Sequence, residues 1–149
     1  QPEVAEVVLS MAGNAGITML RNENDTIEGL NIIGIDDLWG TNFHPVTAMS
    51  KYDPSIANLV LCHNPDVCDQ DVWNNYKGWI LAGHTHGGQC KPPFLPPPVL
   101  PVQNKNYAAG KIDLTNERIV YINRAIGHHR LPVRFNVRPE ITLCELETA

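Results

Sequence analysis

The chain has 149 residues and a formal net charge of −5, from 16 acidic against 11 basic side chains. Its 43% hydrophobic and 18% charged content excludes a disordered or fibrous protein and fits one domain around a single core. An acidic balance with no Lys/Arg cluster disfavours a surface for nucleic-acid polymers, yet leaves room for a small phosphate-containing substrate whose charge bound metal ions would balance.

No apolar run is long enough to span a bilayer, and no export signal is visible in this segment. The opening "QPEVAEVVL" reads as the interior of a longer sequence. Val4, Val7, Val8 and Met11 recur there at helical spacing behind Pro2, with Gly13 and Gly16 suited to end the helix. Short strands are expected in "ITMLRN", "TIEGL" and "NIIGIDD". A loop with one helical turn follows in "LWGTNFHPVTAMSKYDPS", with His44 on its surface. "ANLVLCH", "PDVCDQDVWNNY" and "GWILAGHTH" read as strand, helix and strand, a βαβ unit around residues 57–82 of a parallel sheet covered on both faces.

The proline-rich "KPPFLPPPVLP" must be an extended loop. Its Phe94, Leu95, Val99 and Leu100 favour packing onto the domain over binding a partner. "YAAGKIDL" and "ERIVYIN" form a hairpin around "TN", an irregular arginine-rich stretch follows, and "EITLCEL" is expected as a last alternating strand. Cys62, Cys68, Cys90 and Cys144 make no CxxC pair, and Cys62 and Cys144 lie in strand-like apolar runs that suit buried thiols.

In an open parallel sheet, ligands gather beyond the carboxyl ends of the strands. His63 follows the first strand of the βαβ unit, and His84 and His86 follow the second. Neighbouring strands lie about 4.8 Å apart, so imidazoles from both ends reach a common centre. Gly83, Gly87 and Gly88 permit close backbone approach. His84 and His86 would point the same way if extended, with Thr85 turned aside. Imidazole suits zinc, iron, copper, nickel or manganese. A polar turn capping two strands, or a mononuclear zinc held by three histidines, are the alternatives at this level. A second cation would need carboxylates, and Asp36 and Asp37 are the only acidic pair at a plausible strand end. They read as turn residues, or as support behind the metal, ahead of ligands.

"CHNPD" followed by "GHTHGGQ" resembles the last two metal-binding motifs of the calcineurin-like metallophosphoesterases. The ending "LPVRFNVRPEITLCEL" is similar to the branch holding bacterial membrane-associated or exported phosphodiesterases. The resemblance implies a four-layer α/β sandwich of two facing sheets, with two divalent ions (Mn, Zn, Fe or Mg) sharing a bridging hydroxide. It implies that His63 and His84 bind one ion and His86 the other. The family's DxH, GDxxD and GNHD/E motifs do not occur in these 149 residues. The chain is therefore expected to be the C-terminal part of one domain, a βαβ unit followed by antiparallel strands. The acid–base histidine would lie in the other half, and this part alone would be inactive.

Asp36, Asp37, Trp39, Asn64 and Arg130 are then candidates behind the metals or on the substrate side, with a surface or structural role favoured for Arg130 and a place in the core favoured for Trp39 over an apolar wall for a lipid-like substrate. Arg134, His128 and His129 are rim candidates, though surface or structural roles are favoured for them. The function implied is phosphodiester hydrolysis at a dinuclear centre. Alternatives are a UDP-2,3-diacylglucosamine pyrophosphatase of lipid A synthesis and a non-catalytic half-domain that pairs with another chain. Expected partners are a phosphate-ester or diphosphate small molecule, lipid-like ones included, and a complementary N-terminal half or a dimer partner.

Overall fold

Ile33, Val60, Ile80 and Val120 stand side by side in register, and each is 0% exposed. Burying each contributes about 1.5–3 kcal/mol. They belong to four neighbouring parallel strands: β2 (Leu30–Ile35), β3 (Ala57–Cys62), β4 (Gly78–Ala82) and β6 (Arg118–Ile122). Antiparallel β1 (Glu23–Ile27) and β5 (Gly110–Asp113) form the edges of a six-stranded sheet of order β1-β2-β3-β4-β6-β5. This computed structural model describes residues 2–147, with helices α1 (Pro2–Asn14) and α2 (Pro45–Met49) completing an α/β fold. No described helix is long and apolar enough to cross a membrane.

Ala48 and Met49 of α2 join Val67, Trp73 and Tyr76 in the same core. The opposite face of the sheet is different. Leu59, Leu61, Leu81, Ile119 and Tyr121 are only half-buried, and Trp79 is 41% exposed. Side chains alternate across a strand, so these central strands are apolar on both faces but covered on one. That corrects the expectation of two covered faces. Helix α1 is similarly bare: Val4, Val7, Val8 and Met11 mark an apolar stripe at the expected spacing, and all four are exposed.

The βαβ expectation holds in its strands and fails in its helix. β3 and β4 are adjacent and parallel, but the connection keeps only a 3-10 turn at Pro65–Asp69. Asn74 and Asn75 adopt left-handed backbone, with φ of 43° and 63°, which stops a helix before Tyr76. "ITMLRN" is not a strand either. Asn22 turns left-handed and is buried, its amide donating to the Asn42 carbonyl at 2.7 Å. "EITLCEL" has no regular structure; residues 141–146 lie exposed, Cys144 included, while Glu140 is part-buried and paired with Arg124. Its alternation is real, but β6 already has β4 and β5 on its two sides. The hairpin is as expected, with Asn116 and Glu117 both left-handed between β5 and β6. The proline-rich loop is divided: Leu100 is buried, whereas Phe94, Leu95 and Val99 stay exposed.

Gly34 is required where it stands. A Cβ there would lie 2.3 Å from the Leu20 Cβ and 2.6 Å from its carbonyl oxygen. Gly34→Ala should therefore cost about 1–3 kcal/mol, read as a lower urea midpoint with unchanged slope. An unchanged midpoint would mean that the 17–22 segment moves aside freely.

Candidate metal centre

Three adjacent parallel strands deliver the candidate residues to one edge. Asp36 and Asp37 follow β2, His63 follows β3, and His84 and His86 follow β4. Pro65 stops β3 just after His63, and the Asn64 side chain caps the ensuing turn by accepting the Asp66 N–H at 2.9 Å. The Gly83 N–H donates to the His63 carbonyl at 3.0 Å, tying the two strand ends together.

The closest pair is His63 with His84. The His84 Nδ1 lies 3.0 Å from the His63 Nε2, with ring centroids 4.8 Å apart. The other His84 nitrogen, Nε2, is 2.9 Å from the Pro101 carbonyl oxygen. A carbonyl only accepts, so Nε2 carries the proton and Nδ1 keeps its lone pair facing His63. This is how a backbone carbonyl prepares an imidazole to ligate a metal through its other nitrogen. Trp39 stands edge-on to the His84 ring, with centroids 4.5 Å apart, and is 62% exposed.

His84 and His86 are not extended. Their φ values are 67° and 51°, both left-handed, because the chain folds straight into a 3-10 turn at His86–Gly88. Thr85 between them is buried, donating its hydroxyl to the Ala108 carbonyl at 2.6 Å. The two imidazoles therefore do not stack along one strand face as alternation would place them. Among the described residues no group of three or more His, Cys, Asp or Glu side chains is arranged to hold a metal ion. His63 and His84 meet, and His86 stands outside that pair. Its Nδ1 is buried without a hydrogen-bond partner.

The two aspartates, equivalent in sequence, separate in the structure. Asp36 is engaged by Arg21 at 2.8 Å and Asn42 at 2.6 Å. Burial pushes its carboxyl up, but hydrogen bonds from Asn42, the Asp37 N–H and Arg21 outweigh this and hold it below the usual value. Asp37 keeps a buried Oδ1 with no partner. An orphaned carboxylate oxygen and an orphaned imidazole nitrogen are costly when buried, and each is a donor type that divalent cations accept. The donor set thus fits a metal in kind.

Other candidates fare differently. The Asn64 amide nitrogen is buried and unpartnered beside His63. Arg130 is exposed. Arg134 donates to the carbonyls of Arg124, Ala125 and Gly127, so it shapes the rim. Sequence reading missed two contributors. One is the Pro101 carbonyl, which carries no side-chain signal. The other is Gln89, which accepts the His129 N–H at 2.6 Å and donates to the Leu131 carbonyl at 3.0 Å, holding that rim against the histidine turn.

His63 and His86 both titrate below the ordinary imidazole value. Burial is the main cause at His63, followed by the charge of His84, with Asp37 opposing. At His86 burial again leads, followed by Arg134, His129, His84 and His63. Both are therefore neutral donors near pH 7. Unfolded histidines titrate near 6.5, so below that value the unfolded chain binds more protons than the folded one, and stability falls as pH falls through this window. The urea midpoint of the metal-free chain should drop between about pH 7 and pH 5, and the His63→Ala/His86→Ala double variant should show a smaller drop. An equal drop would assign the effect to carboxylates alone.

Comparison with curated proteins gives relatives along most of the chain. The chain is 37% identical over 140 residues to the phosphodiesterase YaeI of Escherichia coli, covering 89% of this chain and 48% of that protein. It is 33% identical over 149 residues to the uncharacterized metallophosphoesterase YkuE of Bacillus subtilis, covering 95% and 51%. It is 29% identical over 145 residues to the UDP-2,3-diacylglucosamine pyrophosphatase LpxG of Chlamydia trachomatis, covering 91% and 43%. The chain spans about half the length of the curated relatives it matches. No protein-family model matches it, and no solved structure matches it at a significant level.

Proposed function

The chain belongs to the calcineurin-like metallophosphoesterase family, and from that premise we propose that it supplies the histidine side of a metal centre that hydrolyses phosphodiesters. The observation that carries this reading is the His63–His84 pair, with Pro101 leaving the His84 Nδ1 free to ligate. His63 and His84 would hold one divalent ion, with His86 on a second, and the orphaned Asp37 oxygen nearby. When bound, such ions lower the pKa of a coordinated water and neutralise phosphoryl oxygens.

The remaining work belongs to the chain itself. Pro101 fixes the His84 tautomer. The lowered pKa values of His63 and His86 keep both imidazoles neutral near pH 7, and in the metal-free chain the His63 Nε2–H donates to the His84 Nδ1 that a metal would take over. Asp36, neutralised by Arg21, anchors the turn that carries Asp37 and Trp39. The exposed Trp39 forms an apolar wall beside His84, which together with the kinship to a pyrophosphatase of an acylated sugar nucleotide favours, as a second reading, a diphosphate substrate with an apolar portion.

The carboxylate-bearing half, with the DxH, GDxxD and GNHD/E motifs, would come from a complementary segment. The half-covered sheet face and the bare stripe of α1 support such a partner, since uncovered apolar faces are costly in water. The test is hydrolysis of bis(p-nitrophenyl) phosphate with Mn²⁺. Turnover is expected when the chain is combined with a polypeptide carrying the missing motifs, and loss of turnover is expected with EDTA. Equal turnover by this chain alone, or none by the combination, would overturn the proposal.

A further inference from the structure

The His84 ring is oriented by a backbone carbonyl on a loop, and loops hold such geometry only when something holds them. Two charged side chains grip the loop on either side of Pro101. Asp66, buried at 5% exposure, accepts the Gln103 N–H at 2.7 Å and the Asn104 N–H at 3.1 Å. Its own N–H donates to Asn64, the neighbour of His63. Lys105 donates from Nζ to the Leu100 carbonyl at 2.9 Å and also to the Val102 carbonyl. The carbonyls before and after that of Pro101 are thus both held by one ammonium group. Leu100 and Val102 are buried beneath it.

A carboxylate is costly to bury unless its oxygens are satisfied. Here two backbone N–H groups satisfy it, and both belong to the segment that follows Pro101. We propose that Asp66 and Lys105 are positioning residues for His84. They set the 100–104 turn so that the Pro101 carbonyl takes the Nε2 proton and the Nδ1 lone pair is kept for the metal. This rests on the metal reading above for its purpose, but not for its geometry. It links the two sequence motifs physically: Asp66 of "CHNPD" governs the tautomer of the first histidine of "GHTHGGQ" through a loop between them and β5.

The test reads the tautomer directly, by ¹⁵N shifts of the His84 ring in the metal-free full chain at a pH above imidazole titration. The unsubstituted chain should show a single Nε2–H form. Asp66→Ala and Lys105→Met should each give a mixture of Nδ1–H and Nε2–H, and Lys105→Arg should restore the single form. Mn²⁺ affinity by titration calorimetry should fall about 10–100-fold in the first two variants. Lys105 is exposed, so its variants retain the fold and decide the matter even where Asp66→Ala unfolds. A His84 tautomer unchanged in Lys105→Met would overturn the proposal. Failure of the unsubstituted chain to bind Mn²⁺ would overturn the metal reading instead.

Discussion

Alanine at position 84 is expected to lower by about a hundredfold to a thousandfold the phosphodiester turnover proposed for the chain combined with a polypeptide carrying the missing motifs, the scale seen when a group that stabilises developing charge is removed. The loss is large because His84 joins three parts of the site: His63 at 3.0 Å, the Pro101 carbonyl at 2.9 Å, and the Trp39 ring. A double-substitution cycle sharpens the expectation. His63→Ala and His84→Ala should be strongly non-additive in Mn²⁺ affinity, since both would ligate one ion and the first loss already empties the site. His86→Ala should add to either one more nearly independently. Additive losses for His63 and His84 would separate them onto different ions and sink the assignment.

The second large effect is on stability, and it falls on Tyr76. The residue is 0% exposed, stands against Tyr52 and Trp73 with ring centroids 5.2 and 5.8 Å away, and donates its hydroxyl to the Trp79 carbonyl at 2.6 Å. With no crossover helix between β3 and β4, this side chain and Trp73 pin residues 70–77 to the sheet. Tyr76→Ala should cost about 3–5 kcal/mol through lost burial and the cavity left behind. For a domain of this size that is a fall of roughly 10 °C in thermal midpoint. Tyr76→Phe keeps the ring and should cost only about 0.5–1.5 kcal/mol. Equal losses for the two would mean that the hydrogen bond, not the packing, holds the segment.

The crossover shows why the fold was only partly legible in the sequence. "ANLVLC" and "GWILA" could be read as adjacent parallel strands because continuous apolar runs between turn residues have few other uses. The connection between them could not. Val67, Cys68, Val72, Trp73 and Tyr76 recur at intervals a helix would also produce, and only the tertiary packing of Trp73 and Tyr76 against the core decides for an irregular path. The site divides in the same way. His63 and His84 were readable because they end neighbouring strands, so sheet geometry alone brings them together. The difference between Asp36 and Asp37 was not, since it depends on Arg21 and Asn42, distant in sequence. Nor was the Pro101 carbonyl, whose part owes nothing to its side chain. The half-covered sheet face was misjudged for a simpler reason: a sequence shows that a strand is apolar on both sides, not whether anything lies against each.

The left-handed backbone of His84 and His86 carries a consequence for how such a chain changes over generations. A β-carbon in that region costs about 1–2 kcal/mol relative to glycine. Selection for stability alone would therefore favour glycine or asparagine at both positions, and glycine already stands at 83, 87 and 88 around them. Imidazoles stand there against the backbone's own preference. His84→Gly should accordingly be at least as stable to urea as His84→Ala, and a lineage freed from the metal role proposed for these histidines would be expected to lose them before it lost the fold.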